Sequence, residues 1–312
     1  MRKISFVIPC YKSEKTITNV IYEILTKISE KKEHDYEIIA VNDCSPDNVL
    51  YVLRELAEGN SHITVIDLAK NKGKHAAMMA GFSIARGDII VNLDDDGQCP
   101  LDKLWDLISP LDNGYDISFA SYGVKRQSKF KNFGSRINSI MASALIEKPR
   151  ELQISNFSAV KSFVIQEVIC YKNPYPYIEG LFLRTTSRIA NVSMKERKRS
   201  FGIGNYTFRK SLSLWLNGFT AFSVKPLRIA TILGAACALM GFIFGAFTII
   251  NKILHPQIPA GYSSTMAALL FIGGIIMLML GLIGEYIGRI YISINNSPQY
   301  VIREIINVNG ER

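Results

Sequence analysis

The signatures of several common enzyme classes are missing from this chain of 312 residues. No G-x-G-x-x-G follows the first apolar run and no G-x-x-x-x-G-K-[ST] occurs anywhere, which counts against a dinucleotide enzyme and a P-loop ATPase. Cysteines are few: Cys10, Cys44, Cys99, Cys170 and Cys237 are odd in number and never spaced C-x-x-C. A disulfide framework and a structural zinc site are therefore not expected, in keeping with a reducing cytoplasm. Charge is missing altogether from residues 229–250 and 266–284. Each run is close to the roughly 20 apolar residues that cross a bilayer core, so two transmembrane helices are expected, with buried helices of a soluble core as the alternative. The N-terminal apolar run, residues 4–8, is too short for a signal peptide and meets Lys12, Glu14 and Lys15 almost at once.

Acidic residues are outnumbered, 27 against 36 Lys and Arg, for a net charge of +9. With membrane spans present, attraction to anionic membrane lipids and to phosphorylated substrates accounts for the excess better than nucleic acid does. The distribution of charge also gives an orientation. Lys225 and Arg228 precede the first run, Arg289 and Arg303 follow the second, and the loop between carries only Lys252 and His255. The positive-inside rule then puts both termini in the cytoplasm and the loop outside, as in a multi-pass protein of the cell (inner) membrane.

Ahead of these runs the hydrophobic period alternates between strand and helix. Residues 3–9, 36–41, 63–68 and 88–93 read as strands, and 13–28, 49–58 and 74–85 as helices. The first helix places Ile17, Val20, Ile21, Ile24, Leu25 and Ile28 on one face, with Ser13 as its expected N-cap. Such alternation predicts βαβ units and a mainly parallel sheet covered on both faces. Loops that follow the strands open on one edge of such a sheet, so residues 9–14, 43–47, 71–74 and 94–98 are expected to line a single crevice. The last of these carries the most pointed signal: Asp94, Asp95 and Asp96 directly follow an apolar strand. Ligands bind at that end of the strands in open α/β sheets, and three neighbouring carboxylates stay charged only beside a cation or hydrogen-bond donors. Mg2+ or Mn2+ takes one or two protein carboxylates and completes its shell with water and phosphate oxygens, which suits this triplet and a nucleotide diphosphate. A solvated acidic turn is the competing reading.

The opening VIPCYKSE, the turn VNDCSPD, the helix start NKGKHAAMMAG, the carboxylates LDDDGQCP, and the late SFGIGNYTFRKSLSLW and FSVKPLR segments occur in that order ahead of the two apolar runs. Together they resemble the polyprenyl-phosphate glycosyltransferases, membrane-anchored inverting enzymes of family 2 related to dolichol-phosphate mannose synthase and to bacterial undecaprenyl-phosphate glucose and aminoarabinose transferases. The resemblance implies an α/β, Rossmann-like GT-A domain over residues 1–208, an interfacial amphipathic segment over 209–227, a transmembrane hairpin over 228–290 and a cytoplasmic tail over 291–312. It implies that Pro9, Tyr11 and Glu14 line the nucleoside pocket and that Asp43 bonds the base. Asp94 and Asp96 would hold the metal, Asp95 would lie near ribose or phosphate, Gln98 would support the site, and Lys74 would help hold the nucleotide. Strand-end packing for Pro9 and Tyr11, an Asx-type turn for Asp43 and a solvated Lys74 are the plainer alternatives. Lys12, Ser121, residues 154–158 and Gly204 depart from the commoner family pattern in the region expected to face sugar and acceptor, so no one relative sets the sugar.

By the same resemblance Arg136 and Arg199 stand near phosphates, and Lys210 with them. Other basic residues between 125 and 210 are expected to be solvated or to touch lipid headgroups. Residues 211–222 carry the apolar stripe Leu212, Trp215, Leu216 and Phe219, with Trp215 as an interfacial anchor; a core helix is the alternative. The expected reaction is attack by a polyprenyl-phosphate oxygen on the anomeric carbon of a nucleotide-sugar donor, UDP-linked for preference, with release of the nucleoside diphosphate. A phosphate monoester is largely ionised near neutral pH (second pKa about 6), so no strong general base is required, and none of the four histidines is placed as one. Family resemblance also implies a homo-oligomer, a tetramer. A processive polysaccharide synthase is the nearest rival, although the Q-x-x-R-W of such enzymes is absent; a noncatalytic membrane scaffold is the rival from another class. Sugar, base and lipid chain length are left open.

Overall fold

The structure, a computed structural model, describes residues 2–31, 34–122, 152–195, 197, 225–255, 261–294 and 298–307. It divides into two compact units, Met1–Tyr206 with Asn296–Arg312, and Thr207–Asn295.

The first unit is organised by a sheet whose first four strands all run parallel. β1 (Lys3–Cys10), β2 (Asp35–Asn42), β3 (Ile63–Leu68) and β4 (Ile89–Asn92) lie in the order β3-β2-β1-β4. They are joined by α1 (Ile17–Ser29), α2 (Val49–Gly59) and α3 (Lys74–Ile84). Burial explains why these strands read as unbroken apolar runs: β3 is buried along its whole length and β1 from Ile4 to Cys10, so both faces are covered. The buried face of α1 is Ile17, Val20, Ile21, Ile24 and Ile28, five of the six residues its periodicity predicts, with Leu25 half-buried at the margin.

The sheet turns mixed beyond β4, where the sequence pattern is less regular. A 3-10 turn (Leu101–Lys103), α4 (Leu104–Asp112), β5 (Ile117–Ser121), β6 (Ser158–Lys161), α5 (Ser162–Ile169), α6 (Ile178–Thr185) and β7 (Ile189–Ser193) follow. β6 is antiparallel to both β4 and β5, and β7 is parallel to β5. A last strand, β8 (Ile302–Ile306), pairs antiparallel with β3 and completes the order β7-β5-β6-β4-β1-β2-β3-β8. Residues expected as a tail therefore supply an edge of the sheet.

Ser13 does not cap α1; it opens a turn in which Thr16 and Ile17 donate to its carbonyl at 3.0 Å, and the helix begins after Thr16. The Ser13 side chain is buried and bonds no helix N–H; it lies instead against Asp95, whose charge it helps to stabilise.

In the second unit, α7 (Lys225–Leu254) and α8 (Tyr262–Ile294) have 30 and 33 residues, about 45–50 Å at 1.5 Å per residue. Among the described residues, Phe271–Gly288 of α8 is long and apolar enough to cross a membrane, with mean hydropathy 1.9 and none of it buried, while the apolar stretch of α7, Gly234–Phe247, is shorter. Large apolar side chains stand exposed on both helices, Phe242 and Met277 among them. An apolar surface so extensive marks a contact with lipid or another protein.

Gly87 allows the chain entering β4 to press against β1. A Cβ at this position would lie 2.5 Å from Ser5 Oγ, 2.7 Å from Ser5 N and 2.9 Å from the Lys3 carbonyl. Backbone atoms cannot give way as a side chain does, so Gly87→Ala is expected to cost about 1–3 kcal/mol. A lowered thermal unfolding midpoint in the purified chain checks this, and an unchanged midpoint would contradict the close approach.

Candidate active site

Strand order reverses between β1 and β4: from β1 the sheet builds outward through β2 and β3, then returns to place β4 on the other side. Open α/β sheets bind ligands outside the carboxyl ends of the strands at such a point. Those ends are tied here by a hydrogen bond from the Tyr11 N–H after β1 to Asp95 Oδ2 after β4, 2.9 Å long.

The three carboxylates after β4 are each compensated differently. Asp95 has the Tyr11 N–H, yet removal from water dominates and pushes its carboxyl up to about 6, with the charges of Asp94 and Asp96 adding to the rise. Asp94 is gripped on both oxygens: Oδ1 pairs with the Lys74 ammonium, and Oδ2 accepts from Asn156 Nδ2 at 2.8 Å. Asp96 Oδ1 accepts from the Gln98 N–H at 3.1 Å, closing the turn in which Gly97 takes φ +74°. Gln98 exchanges backbone and side-chain bonds with residue 197, its carbonyl accepting from the Arg197 N–H and its Nε2 donating to the Arg197 carbonyl. Cys99 next to them is buried, and its thiol is pushed up to about 12 by that burial and by Asp94, which removes it as a nucleophile or ligand near neutral pH.

The other loops expected in the crevice are knitted to these. Lys12, at φ +58°, donates its N–H to Ser45 Oγ at 2.8 Å, and Ser45 follows Cys44, itself at φ +48°. Non-glycine residues hold such conformations only where surrounding bonds enforce them, and they gather at ligand sites. Glu14 Oε2 accepts from the Asn48 N–H at 3.2 Å, so Glu14 ties the loops after β1 and β2 together. Asp43 is 3% exposed, and its two oxygens accept from the Lys72 and Gly73 N–H groups, each at 2.8 Å. Burial raises its pKa and these two bonds oppose the rise. Asp43 thus shapes the loop leading into α3. Pro9 is buried in β1 opposite Val41, whereas Tyr11 is 45% exposed beneath the Lys12 ammonium.

The structure therefore joins Tyr11 to Asp95, Lys74 to Asp94 and Gln98 to Asp96, ties Glu14 to the loop after β2 and Asp43 to the loop before α3, and leaves Pro9 buried in its strand. Arg136, Arg199, Lys210 and Trp215 lie outside the described residues. Arg197 differs from its expected solvated role: it forms ion pairs with Glu23 of α1 and with Asp102. Asn156 was not foreseen as a partner of Asp94, although it falls in the segment whose departure from the family pattern pointed to the sugar side. Nor was a group around His75, whose Nδ1 lies 3.7 Å from Glu179 Oε2 and whose ring meets the edge of Tyr177 at 5.6 Å. Tyr177 is pushed well above the ordinary phenol range by burial and by the Glu179 charge. Nothing local in the sequence around Glu179 marks it, because α3 and α6 meet only through the fold.

Among the described residues no three His, Cys, Asp or Glu side chains gather closely enough to hold an ion alone. Asp94 and Asp96 nevertheless fit a hard cation that draws most of its ligands from a substrate. Both are half-buried oxygen donors, and the ammonium at Asp94 shows that the site favours positive charge.

Residues 5–171 of the sequence match glycosyl transferase family 2. The chain belongs to that family. Residues 225–290 of this family 2 glycosyltransferase match the GtrB C-terminal hairpin. The enzyme is 30% identical to undecaprenyl-phosphate 4-deoxy-4-formamido-L-arabinose transferase of Proteus mirabilis over 99% of this chain and 95% of that protein. It is 28% identical, over the same shares, to YkcC of Bacillus subtilis, an uncharacterized glycosyltransferase. In fold it is similar to glucosyl-3-phosphoglycerate synthase from Mycobacterium tuberculosis, solved in complex with Mn2+, UDP and phosphoglyceric acid. That likeness has a TM-score of 0.52 at 20% identity and covers 70% of this chain and 76% of that one.

The elevated pKa of Asp95 has a consequence for stability. A carboxyl whose folded pKa lies above its unfolded value of about 3.9 favours folding while protonated, and the benefit is lost as pH rises through about 6. In chelator, Asp95→Asn is expected to be more stable than the parent chain at pH 8 by about 1–3 kcal/mol. The advantage should vanish by pH 4. Parallel melting curves at the two pH values measure it, and a pH-independent difference would contradict the assignment.

Proposed function

We propose that this glycosyltransferase moves a sugar from a nucleotide donor, UDP-linked for preference, to a polyprenyl phosphate at the membrane, with inversion at the anomeric carbon. The observation that carries the reading is the acidic triplet at the β1/β4 switch point, with Asp94 paired to a lysine that can be exchanged for a metal. The name of the Proteus mirabilis relative, matched nearly end to end, supports an undecaprenyl-phosphate acceptor. The Mn2+ and UDP bound together in the mycobacterial synthase support a divalent ion with a uridine nucleotide.

Asp94 and Asp96 would hold Mg2+ or Mn2+, which when bound supplies positive charge against the leaving diphosphate. The chain's own groups do the rest. Lys74, at the start of α3, would turn from Asp94 to the diphosphate; Tyr11 and Pro9 bound the nucleoside side, and Asp43, through the 72–73 backbone, sets the loop that receives the base. Asp95 holds the two strand ends at fixed separation, and Gln98 holds the chain at residue 197. Arg136, Arg199 and Lys210 remain proposed partners for phosphate. The acceptor phosphate needs no strong base, so the rate would rest on positioning and charge neutralisation. α7 and α8 are proposed to cross the inner membrane as a hairpin with both termini cytoplasmic, where the lipid acceptor is available. A homotetramer is proposed from the family alone.

Asp94→Asn and Asp96→Asn are each expected to lower kcat by about 100-fold or more. The assay is transfer from a panel of nucleotide sugars to undecaprenyl phosphate, with Mn2+ or with chelator. Full turnover in both variants would return the noncatalytic scaffold to favour. Topology has its own check: a cysteine introduced at Gln257 should react with an impermeant maleimide from outside intact cells, and protection there would overturn the hairpin's orientation.

A further inference from the structure

β8 reaches the sheet only after the chain has passed through α7 and α8, and its attachment to β3 is irregular at one place. Asp67 pairs with Glu304 and Leu68 with Ile302, so Arg303 is the extra residue of a bulge. Bulges re-aim a side chain and occur next to active sites. Here the re-aimed side chain is the Arg303 guanidinium, which donates to Asp67 Oδ2 at 3.0 Å and to the Ala69 carbonyl at 3.2 Å. Asp67 is 1% exposed, and its other oxygen accepts from Asn42 Nδ2 at 2.7 Å.

From Asn42 the bonds run directly into the crevice loops. Asn42 Oδ1 accepts from the Ser45 N–H at 3.1 Å. Ser45 Oγ accepts from the Lys12 N–H at 2.8 Å and donates to Asp47 Oδ1, while Asp47 Oδ2 accepts from the Glu14 N–H. The path thus ends on both loops whose residues take left-handed backbone angles, Lys12 and Cys44. Those conformations persist only if their bonding partners stay in place. The first partner in the series, Asn42, is oriented by a carboxylate that itself would be buried without a counter-charge if Arg303 were absent.

We propose that Arg303 is a positioning residue for the nucleotide: it orders the loops after β1 and β2 through Asp67 and Asn42, so that the strand beyond the hairpin takes part in donor binding. The proposal rests on the reading of these loops as a nucleotide site. A second ion pair on the same strand, Glu304 with Arg54 of α2, is exposed and has no bond to this path, which makes it a control.

The test uses the full-length chain in detergent with UDP and Mn2+ as the probe. Arg303→Met is expected to weaken UDP binding in calorimetry by about 5- to 20-fold and to speed hydrogen exchange in peptides covering residues 42–48. Arg303→Lys should restore part of both effects, and Arg54→Met should produce neither. If Arg303→Met does not fold, Asp67→Asn, which breaks the path at its buried carboxylate, is expected to give the same faster exchange. Unchanged affinity together with unchanged exchange at 42–48 would overturn the proposal. So would equal effects of Arg303→Met and Arg54→Met, because β8 would then act only by holding the sheet. Failure of the parent chain to bind UDP would count against the uridine-nucleotide reading instead, while exchange at residues 42–48 would still decide the coupling.

Discussion

Crowding of like charge at the end of β4 is the constraint on which the crevice is built. Three successive carboxylates cannot share one environment, and the surrounding loops separate them. Asp95 is drawn inward to a backbone N–H, Asp94 is held between an ammonium and an amide, and Asp96 bonds within its own turn. Each partner comes from a different part of the chain. Neutralising the triplet therefore also brings the loops after β1, β3 and β4, and the segment before β6, to the same place. The cost of assembling negative charge becomes the means of fixing the crevice loops.

Much of this was legible in the sequence, for a definite reason. Parallel strands buried on both faces read as short apolar runs, and α1 repeats its apolar residues at helical spacing, so β1 through β4 and their helices could be read with boundaries off by one to a few residues. The position of Asp94 to Asp96 followed from the rule that crossover connections place successive loops on one edge. Beyond β4 the same rules lost force. β6 enters antiparallel between β4 and β5, a pairing that depends on long-range contacts with no local period. Asn156, Glu179 and Arg303 matter because of what the fold sets beside them, and neither composition nor spacing can report that. Ser13 illustrates a smaller miss: its residue type suits a cap, but its side chain lies against Asp95 of another loop instead.

Of the two readings of Asp43, the structure carries that of the turn residue. Its carboxylate makes a turn-stabilising pair of bonds to the 72–73 backbone, the plainer alternative, and by doing so sets the approach to α3 and Lys74. A substitution there would act on the loop before it acted on any ligand. Arg197 likewise commits its charge to Glu23 and Asp102, tying the chain beyond β7 to α1 and to the turn before α4. Part of the excess of basic residues is thus committed to scaffolding, which counting charges alone does not reveal.

The placement of β8 has a consequence for biosynthesis. On the ribosome, β3 emerges early and its outer row of N–H and C=O groups stays without a partner until translation has passed α7 and α8 and reached residue 302. An open strand edge is a template for pairing with other chains. The closing of the sheet by β8 marks the end of that exposed period.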